Sequence, residues 1–145
     1  MAFLGKTLLC KPGMSIPNTL SFKTPLLIYF SASWCPPCRG FTPVLTDFYN
    51  AVNSPTKQCE IIFASLDQSD QEFKDYFSKM PWLAIQYEEK DLINQLAQKY
   101  SVQSIPSLVQ INGKGESLIS DCRSEVASKG VSALILFKQA LLKGN

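Results

Sequence analysis

Two of the five cysteines in this 145-residue chain lie three positions apart. They are Cys35 and Cys38, and Pro36 and Pro37 separate them. Two thiols one helical turn apart can close a small-ring disulfide and open it again. The spacing therefore predicts a pair that switches between the dithiol and the disulfide.

The helical pattern that begins at Pro36 gives the two thiols different roles. Cys35 precedes the first turn, where unpaired backbone N–H groups and the positive end of the helix dipole favour a thiolate. We expect Cys35 to attack a partner disulfide and Cys38, one turn further in, to resolve the mixed disulfide. Pro36 and Pro37 suit a first turn, because a missing N–H leaves no helical bond unmade there. Arg39 adds a positive charge of second-order importance.

A zinc site is the alternative interpretation of the cysteine pair. Its other ligands would have to come from the isolated Cys10, Cys59 and Cys122, and the chain has no histidine. The lack of histidine also excludes Cys–His and Ser–His catalysis. We therefore expect no metal and no cofactor, and we interpret the three remaining cysteines as inert thiols.

The amino-acid composition indicates what kind of molecule positions these thiols. A hydrophobic content of 46% suits one domain over residues 1–145, and 14 basic residues nearly balance 12 acidic ones. The amino terminus lacks the features of a secretory signal, and no apolar run reaches membrane-spanning length. We expect a cytoplasmic monomer that binds neither nucleic acid nor membrane.

Short apolar runs alternate with segments of helical periodicity along the chain. Loops are predicted over 11–18 and 53–58, and a turn at 112–115 predicts a hairpin that returns over 117–120. Strands joined by helices imply a mainly parallel central sheet, to which the hairpin adds antiparallel strands. The predicted fold is an α/β three-layer sandwich with a mixed central sheet. The other predicted strands are Leu26–Phe30, Ile61–Ala64 and Leu108–Ile111, and the predicted helices are 36–51, 69–79, 90–100 and 131–142.

Pro106 is the second expected element of the site. It follows Ile105 at the beginning of a buried strand, where it cannot donate a ladder hydrogen bond, and it is suited to a cis bond. A cis Pro106 beside the thiols would leave the Ile105 backbone free to pair with an extended substrate strand. The alternative is an ordinary trans proline that begins a strand.

Three segments carry a resemblance to a known family. Residues 29–45, YFSASWCPPCRGFTPVL, closely resemble the active-site region of tryparedoxins and nucleoredoxins, within the thioredoxin superfamily. Residues 80–84, MPWLA, and 100–108, YSVQSIPSL, are similar to two further segments of that branch. The resemblance covers roughly residues 26–115 and implies a thioredoxin-like α/β/α sandwich.

For the site, the resemblance implies dithiol–disulfide exchange at Cys35 and Cys38. It places Trp34 beside the sulfurs and Pro106, in the cis form, opposite them. It implies an enzyme that reduces protein disulfides, a peroxiredoxin among the candidates, with electrons from a low-molecular-weight dithiol, glutathione or a reductase. The nucleoredoxin resemblance also allows a redox-sensitive module that binds and regulates a signalling partner.

The chain departs from the resembling families at several positions. Tryparedoxins carry Trp-Asp-Glu where this chain has Leu66-Asp67-Gln68, which leaves the electron donor open. Ordinary thioredoxins carry a buried acid where this chain has Tyr29. Asp67 is our candidate for proton transfer to Cys38, and a loop or helix-cap acid is the alternative. Arg123 is similar to a basic residue near the glutathionyl substrate of tryparedoxins, and a surface arginine is the alternative. The aromatics at helical spacing, Tyr76 among them, are interpreted as packing.

Overall fold

The apolar run Leu26–Ser31 forms the central strand of the sheet, and all six of its residues are buried. Successive side chains of a strand point to opposite faces. Leu27 and Tyr29 accordingly pack in one hydrophobic core, and Ile28 and Phe30 pack in the other. Because neither face of this strand reaches water, both faces of the sheet must be covered.

A computed structural model describes residues 2–144, and within them seven strands and five α-helices follow one another. Short 3₁₀ turns occupy Ala2–Leu4 and Gly130–Ser132. The strands are β1 (Thr7–Lys11), β2 (Met14–Pro17), β3 (Leu26–Ser31), β4 (Glu60–Ser65), β5 (Leu83–Ile85), β6 (Ser107–Ile111) and β7 (Ser117–Ile119), and the helices are α1 (Pro36–Val52), α2 (Asp70–Phe77), α3 (Lys90–Lys99), α4 (Cys122–Lys129) and α5 (Ala133–Gly144).

The seven strands form one mixed sheet in the order β2-β1-β5-β4-β3-β6-β7. Strand β4 pairs in parallel with β3 and β5, whereas the other described pairings are antiparallel. The mixed sheet and the three layers confirm the predicted fold class. The expectation that the sheet is mainly parallel is wrong, because antiparallel strands extend it at both edges.

The strands that sequence reasoning missed lie at one end of the sheet. The segment 11–18, interpreted as a loop, contains β2, which pairs with β1 across a tight turn that has Gly13 at φ +77°. Its residues are largely exposed, so no alternation of apolar and polar side chains marks it as a strand. Strand β5 spans only three residues, too few to show a period.

Helices α1, α2 and α3 lie where helical periodicity placed them, within two residues at each end. The Ser69 side chain caps α2 by accepting a hydrogen bond from the Glu72 backbone N–H. The expected terminal helix from 131 to 142 is instead a 3₁₀ turn followed by α5. Helix α4 was not predicted, since its sequence CRSEVASK is polar around most of its circumference.

The helices divide between the two faces of the sheet. Buried side chains of α1, α2, α4 and α5 pack in the core that contains Tyr29, and those of α3 pack in the core that contains Phe30. Among residues 2–144, no helix combines the length and the apolar character needed to cross a membrane. The beginning of α1 comes directly after the central strand β3, so the cysteine pair lies at one end of the sheet.

Candidate active site

Helix α1 begins at the cysteine pair. Cys35 is the N-cap residue, with an extended backbone at φ −101° and ψ 110°, and its sulfur accepts a hydrogen bond of 3.3 Å from the Cys38 backbone N–H. Pro36 and Pro37 occupy the first helical positions, where the missing N–H of proline leaves no helical hydrogen bond unmade. The Cys35 sulfur is thereby held against a helix N-terminus, a position that stabilises a thiolate.

Cys38 lies one turn inward and has no solvent-exposed surface. Burial raises the pKa of its thiol to about 11, and a hydrogen bond with the Cys35 side chain adds to the rise. The Ser31 side chain acts in the opposite direction, because its hydrogen bond favours the thiolate. At neutral pH, Cys38 is therefore a protonated thiol that must lose a proton before it can attack a disulfide.

A cis peptide bond between Ile105 and Pro106 lies opposite the cysteine pair. The Cys35 thiol donates to the Ile105 carbonyl oxygen across 3.6 Å, which brings the two expected elements of the site together. Arg123 of α4 approaches from the other side: its Nη1 donates to the Pro106 carbonyl oxygen at 3.4 Å, and its guanidinium lies 5.9 Å from the centre of the Phe41 ring. Arg123 thus lies beside the cis proline.

Trp34 and Arg39 flank the cysteines at the surface. The Trp34 side chain is 48% exposed, and its indole N–H donates to the Leu66 carbonyl oxygen at 3.0 Å. This bond fixes the ring against the segment that follows β4 while about half of the side chain stays exposed. Arg39 folds back, and its Nη1 donates to the Ser33 carbonyl oxygen at 3.2 Å. Its charge therefore stays within the loop that precedes the helix.

Asp67 is buried just after β4 and is surrounded by hydrogen-bond donors. One carboxylate oxygen accepts from the Ser33 backbone N–H at 2.7 Å and from its hydroxyl at 2.6 Å, and the other accepts from the Ser65 hydroxyl at 2.8 Å. These bonds hold the loop that carries Trp34 and Cys35. Within residues 2–144, no described hydrogen bond joins Asp67 to Cys38, and the predicted proton transfer between them stays a prediction.

A cluster of buried hydroxyls beside Cys38 was missed by sequence reasoning. The Thr42 hydroxyl donates to the Cys38 carbonyl oxygen at 2.9 Å and lies 2.8 Å from the Tyr29 hydroxyl and 2.7 Å from the Tyr76 hydroxyl. The Tyr76 hydroxyl in turn lies 2.8 Å from the Ser31 hydroxyl. A sequence signal was present, because Tyr29 and Ser31 are two positions apart in a strand and therefore share one face, and Thr42 lies one turn after Cys38.

A groove runs beside this cluster between α1 and α2. Its volume is about 600 Å³. It combines apolar surface with side chains of both charges, and it reaches the active-site loop through Ser33 and Arg39. The lining residues are Ser33, Arg39, Thr42, Pro43, Thr46, Asp47, Glu72, Asp75, Tyr76 and Lys79.

The remaining cysteines lie apart from the site. Cys59 and Cys122 are fully buried in the core, and burial raises the pKa of both thiols. Cys10 is partly exposed on β1. The part of the chain that the structure describes contains no group of three or more histidine, cysteine, aspartate or glutamate side chains arranged to hold a metal ion.

The comparisons with known proteins agree on one family. A family model described as thioredoxin-like matches residues 23–117. Tryparedoxin from Trypanosoma brucei brucei is 43% identical over 112 residues, which cover 77% of this chain and 76% of that protein. Nucleoredoxin from Mus musculus is 40% identical over 119 residues; these cover 82% of this chain but 27% of nucleoredoxin, so the chain spans about a quarter of that relative.

A solved structure with a bound thiol compound shares the fold. Tryparedoxin II complexed with glutathionylspermidine superposes with a TM-score of 0.76 at 35% identity, over 86% of this chain and 87% of that one. The thioredoxin-like family model, over residues 23–117, includes both segments of the site.

Proposed function

This chain belongs to the thioredoxin-like family of thiol oxidoreductases, and from that premise we propose that it reduces protein disulfides through a dithiol–disulfide cycle at Cys35 and Cys38. One observation carries the proposal. The Cys35 sulfur lies at the N-terminus of α1, where it accepts the Cys38 backbone N–H at 3.3 Å and faces the Ile105 carbonyl across 3.6 Å. A nucleophilic thiol, a resolving thiol and a peptide-binding edge therefore meet at one place.

In the first half of the cycle, the Cys35 thiolate attacks one sulfur of a protein disulfide. A bond forms between Cys35 and that sulfur, and the other sulfur leaves as a thiolate that takes a proton from solvent. The N-terminus of α1 stabilises the attacking anion. Trp34, fixed by its bond to Leu66, offers an apolar surface on which the partner can rest.

In the second half, Cys38 attacks Cys35 and releases the partner's second sulfur. The one-turn separation puts the two sulfurs within reach of a disulfide. Cys38 is buried and protonated until this step, so it does not compete with Cys35 for the partner. The active-site disulfide that results is reduced again by an electron donor.

We expect the substrate to approach as an extended segment beside the cis proline. The backbone at Ile105 lies next to the Cys35 sulfur, and a peptide that pairs there presents its disulfide for in-line attack. Peroxiredoxins are one class of protein disulfide to be tested as substrates. Arg123, which donates to the Pro106 carbonyl, supplies a cation at the same edge for a carboxylate of the substrate or donor.

For the electron donor we propose a low-molecular-weight thiol of the glutathionyl type. The similarity to tryparedoxin II, which has been solved with glutathionylspermidine, and the position of Arg123 both support this choice. A reduction assay that compares trypanothione, glutathione and thioredoxin reductase as donors tests it. Faster turnover with thioredoxin reductase than with both thiols would contradict the proposed donor class.

Insulin reduction with dithiothreitol as the donor tests the cycle itself. We expect Cys35→Ser to abolish catalysed reduction, because no other thiol occupies the helix N-terminus beside Ile105. Cys10→Ser, which removes a partly exposed thiol on β1, is the matched control and should retain full activity. Full activity of the Cys35→Ser variant would overturn the mechanism.

A redox-sensitive binding module is the second candidate function. It is favoured by the similarity to nucleoredoxin and by the half-exposed Trp34 ring, whose position depends on the loop next to Cys35. In this case the state of the cysteines controls attachment without turnover. Capture of a partner that binds non-covalently, with equal affinity for wild type and Cys35→Ser, and no insulin reduction by either protein, would favour this candidate over the enzyme.

A further inference from the structure

Cys38 has no carboxylate among its described hydrogen-bond partners in residues 2–144, yet it must lose a proton during resolution. What surrounds it is a chain of hydroxyls. Ser31 makes a side-chain hydrogen bond to Cys38, and its oxygen lies 2.8 Å from the Tyr76 hydroxyl. The Tyr76 hydroxyl lies 2.7 Å from Thr42, which itself donates to the Cys38 carbonyl oxygen.

The donors in this chain can be assigned by counting protons. The Thr42 hydroxyl has one proton and uses it for the Cys38 carbonyl, so the Tyr76 hydroxyl donates to Thr42. Tyr76 has then no second proton, and Ser31 donates to Tyr76. Ser31 keeps lone pairs that accept from the protonated Cys38 thiol, and once that proton has moved, the Ser31 hydroxyl donates to the thiolate, which is the form that its bond favours. The hydrogen bonds therefore run in one direction, from the Cys38 thiol through Ser31 and Tyr76 to Thr42.

The outer end of the chain lies in the wall of the groove. Tyr76 and Thr42 both line the groove between α1 and α2, whereas Ser31 and Cys38 are fully buried. Burial raises the pKa of Tyr76, so its hydroxyl stays neutral at physiological pH and can both accept and donate a proton. The hydroxyls thus connect a buried thiol with the groove.

Given the proposed dithiol cycle, on which this inference rests, we infer that Ser31 and Tyr76 form a proton relay that carries the Cys38 proton to the groove during resolution. Ser31 is the catalytic member because it contacts the reacting thiol. Tyr76 acts through Ser31 and is a positioning and relay residue, and Thr42 holds its hydroxyl in place.

The relayed step balances. The Cys38 S–H bond breaks, and its electron pair forms the Cys38–Cys35 disulfide. The bond between Cys35 and the partner's sulfur breaks, and its electron pair leaves on the partner as a thiolate, which takes a proton from solvent. The Cys38 proton moves to Ser31 and the Ser31 proton moves to Tyr76, whose own O–H turns from Thr42 toward the groove and gives its proton to water there. Each hydroxyl ends neutral, and no additional oxidant is needed.

Two-phase kinetics with a chromogenic aromatic disulfide, dithiobis(nitrobenzoate), separate the steps. Attack by Cys35 releases the first coloured thiolate at a rate that depends on reagent concentration, and resolution by Cys38 releases the second at a rate that does not. Every protein in this experiment also carries Cys10→Ser, because Cys10 is partly exposed and would react with the reagent as well. We expect Tyr76→Phe to slow the second phase on the order of tenfold or more and to leave the first phase unchanged.

The pH profile of the second phase distinguishes a relay from a loss of packing. The titratable groups that face Cys38 are Cys35 of α1, Tyr29 of β3 and Tyr76 of α2. In Tyr76→Phe, the profile should move to higher pH, because hydroxide must then remove the proton directly. Tyr100→Phe is the matched control: the Tyr100 hydroxyl is also buried and donates to the Gly115 carbonyl, far from the site, and its loss should leave both phases unchanged.

Ser31→Ala supplies an independent variant. It breaks the same relay at its inner end, so the second phase should slow to a similar extent. The double variant Ser31→Ala/Tyr76→Phe should be no slower than the slower single variant, since one broken relay cannot be broken twice. An unchanged second phase in both single variants, or additive slowing in the double variant, would overturn the relay. A wild-type protein that shows no second phase would instead refute the dithiol cycle itself.

Discussion

Two helices of this protein begin beside a cysteine, and the two helix N-termini differ in capping and in charge. Cys35 is the N-cap of α1, and Cys122 is the first residue of α4. Both are largely buried, but Cys35 keeps 5% of its surface exposed whereas Cys122 has none. At α4, the Asp121 carboxylate caps the helix by accepting the Ser124 backbone N–H. At α1, prolines leave no such competitor, and the Cys38 N–H reaches the Cys35 sulfur.

Charge adds to the difference. Burial raises the pKa of the Cys122 thiol, and the negative charges of Asp121 and Glu125 raise it further. No acidic residue occupies the first turn of α1. At α1 the sulfur itself takes the free N–H group and no acidic residue lies in the first turn, which are conditions under which a helix N-terminus favours a thiolate.

The largest expected contrast lies in turnover. Cys38→Ser should lower insulin reduction on the order of a thousandfold and should accumulate a mixed disulfide at Cys35, because nothing remains to resolve it. Cys122→Ala should keep wild-type turnover, since its thiol lies in the core away from the site. The assay is insulin turbidity, with non-reducing gels to detect the trapped species. Loss of turnover in Cys122→Ala without unfolding would break the comparison.

Alkylation of the native protein gives the next contrast. With iodoacetamide at neutral pH, we expect Cys35 to react on the order of a hundredfold faster than Cys59 and Cys122. Those two thiols are fully buried and protonated, and they become accessible only when the core opens. Mass spectrometry of tryptic peptides measures each rate separately. Equal rates at Cys35 and Cys122 would show that the α1 terminus confers no advantage, and full alkylation after denaturation is the control.

Whether a contact could be predicted from the sequence depends on how far apart along the chain the two interacting residues lie. The Cys35 and Cys38 arrangement is local, and a motif with two prolines was enough to predict the helix, the N-cap and the order of the two thiols. The cis proline at 106 was also predicted, from a buried strand and the family resemblance. Local patterns of this kind carry their own geometry because neighbours in sequence are neighbours in space.

Contacts between distant segments could not be predicted. Asp67 and Ser33 are 34 positions apart, and they meet because β3 and β4 lie side by side. Ser31 and Tyr76 are 45 apart, and they meet because α2 packs on the face of the sheet that contains Tyr29. Tyr76 was interpreted as packing, which describes its ring but not its hydroxyl. Helix α4 lacks an apolar period, so the sequence does not predict it. Its capping carboxylate and its placement of Arg123 beside Pro106 could therefore be recognised only from the fold.

Removal of the Asp67 carboxylate, which supports the loop before α1, and removal of the Asp121 carboxylate, which caps α4, should lower the free energy of unfolding by different amounts. Asp67→Ala leaves donors of Ser33 and Ser65 without their partner in a buried setting, and we expect it to lower the free energy of unfolding by about 2–3 kcal/mol. Asp121→Ala removes an exposed N-cap of α4 and should cost about 1 kcal/mol. Urea denaturation measures both values.

The rate of attack by Cys35 gives a second comparison of Asp67→Ala with Asp121→Ala. Asp67→Ala should also slow attack by Cys35, because the loop that carries Trp34 loses its anchor, whereas Asp121→Ala should not change it. The first phase of the reaction with the chromogenic disulfide reports this step. Equal first-phase rates in Asp67→Ala and wild type, measured where both are folded, would show that Asp67 stabilises the fold without positioning the nucleophile.

The smallest expected effect is a difference in how stability depends on alkaline pH. The unfolded chain releases thiol protons near pH 8.5, about the usual pKa of cysteine, whereas buried Cys122 keeps its proton because its pKa is raised in the folded protein. The unfolded state then binds fewer protons than the folded state, so the free energy of unfolding falls as pH rises, by up to about 1.4 kcal/mol per pH unit for each such thiol.

Cys122→Ala should therefore lose part of the slope that wild type shows between about pH 8.5 and 10, a window below the titration of most tyrosines. Val126→Ala is the matched control: it removes buried surface from the same helix without removing a thiol, so it should lower stability by the same amount at every pH. Urea denaturation in a phosphine reductant gives the three slopes. If Cys122→Ala and wild type have the same slope, the Cys122 thiol titrates alike in the folded and unfolded chains, and burial with two nearby carboxylates is not what separates it from Cys35.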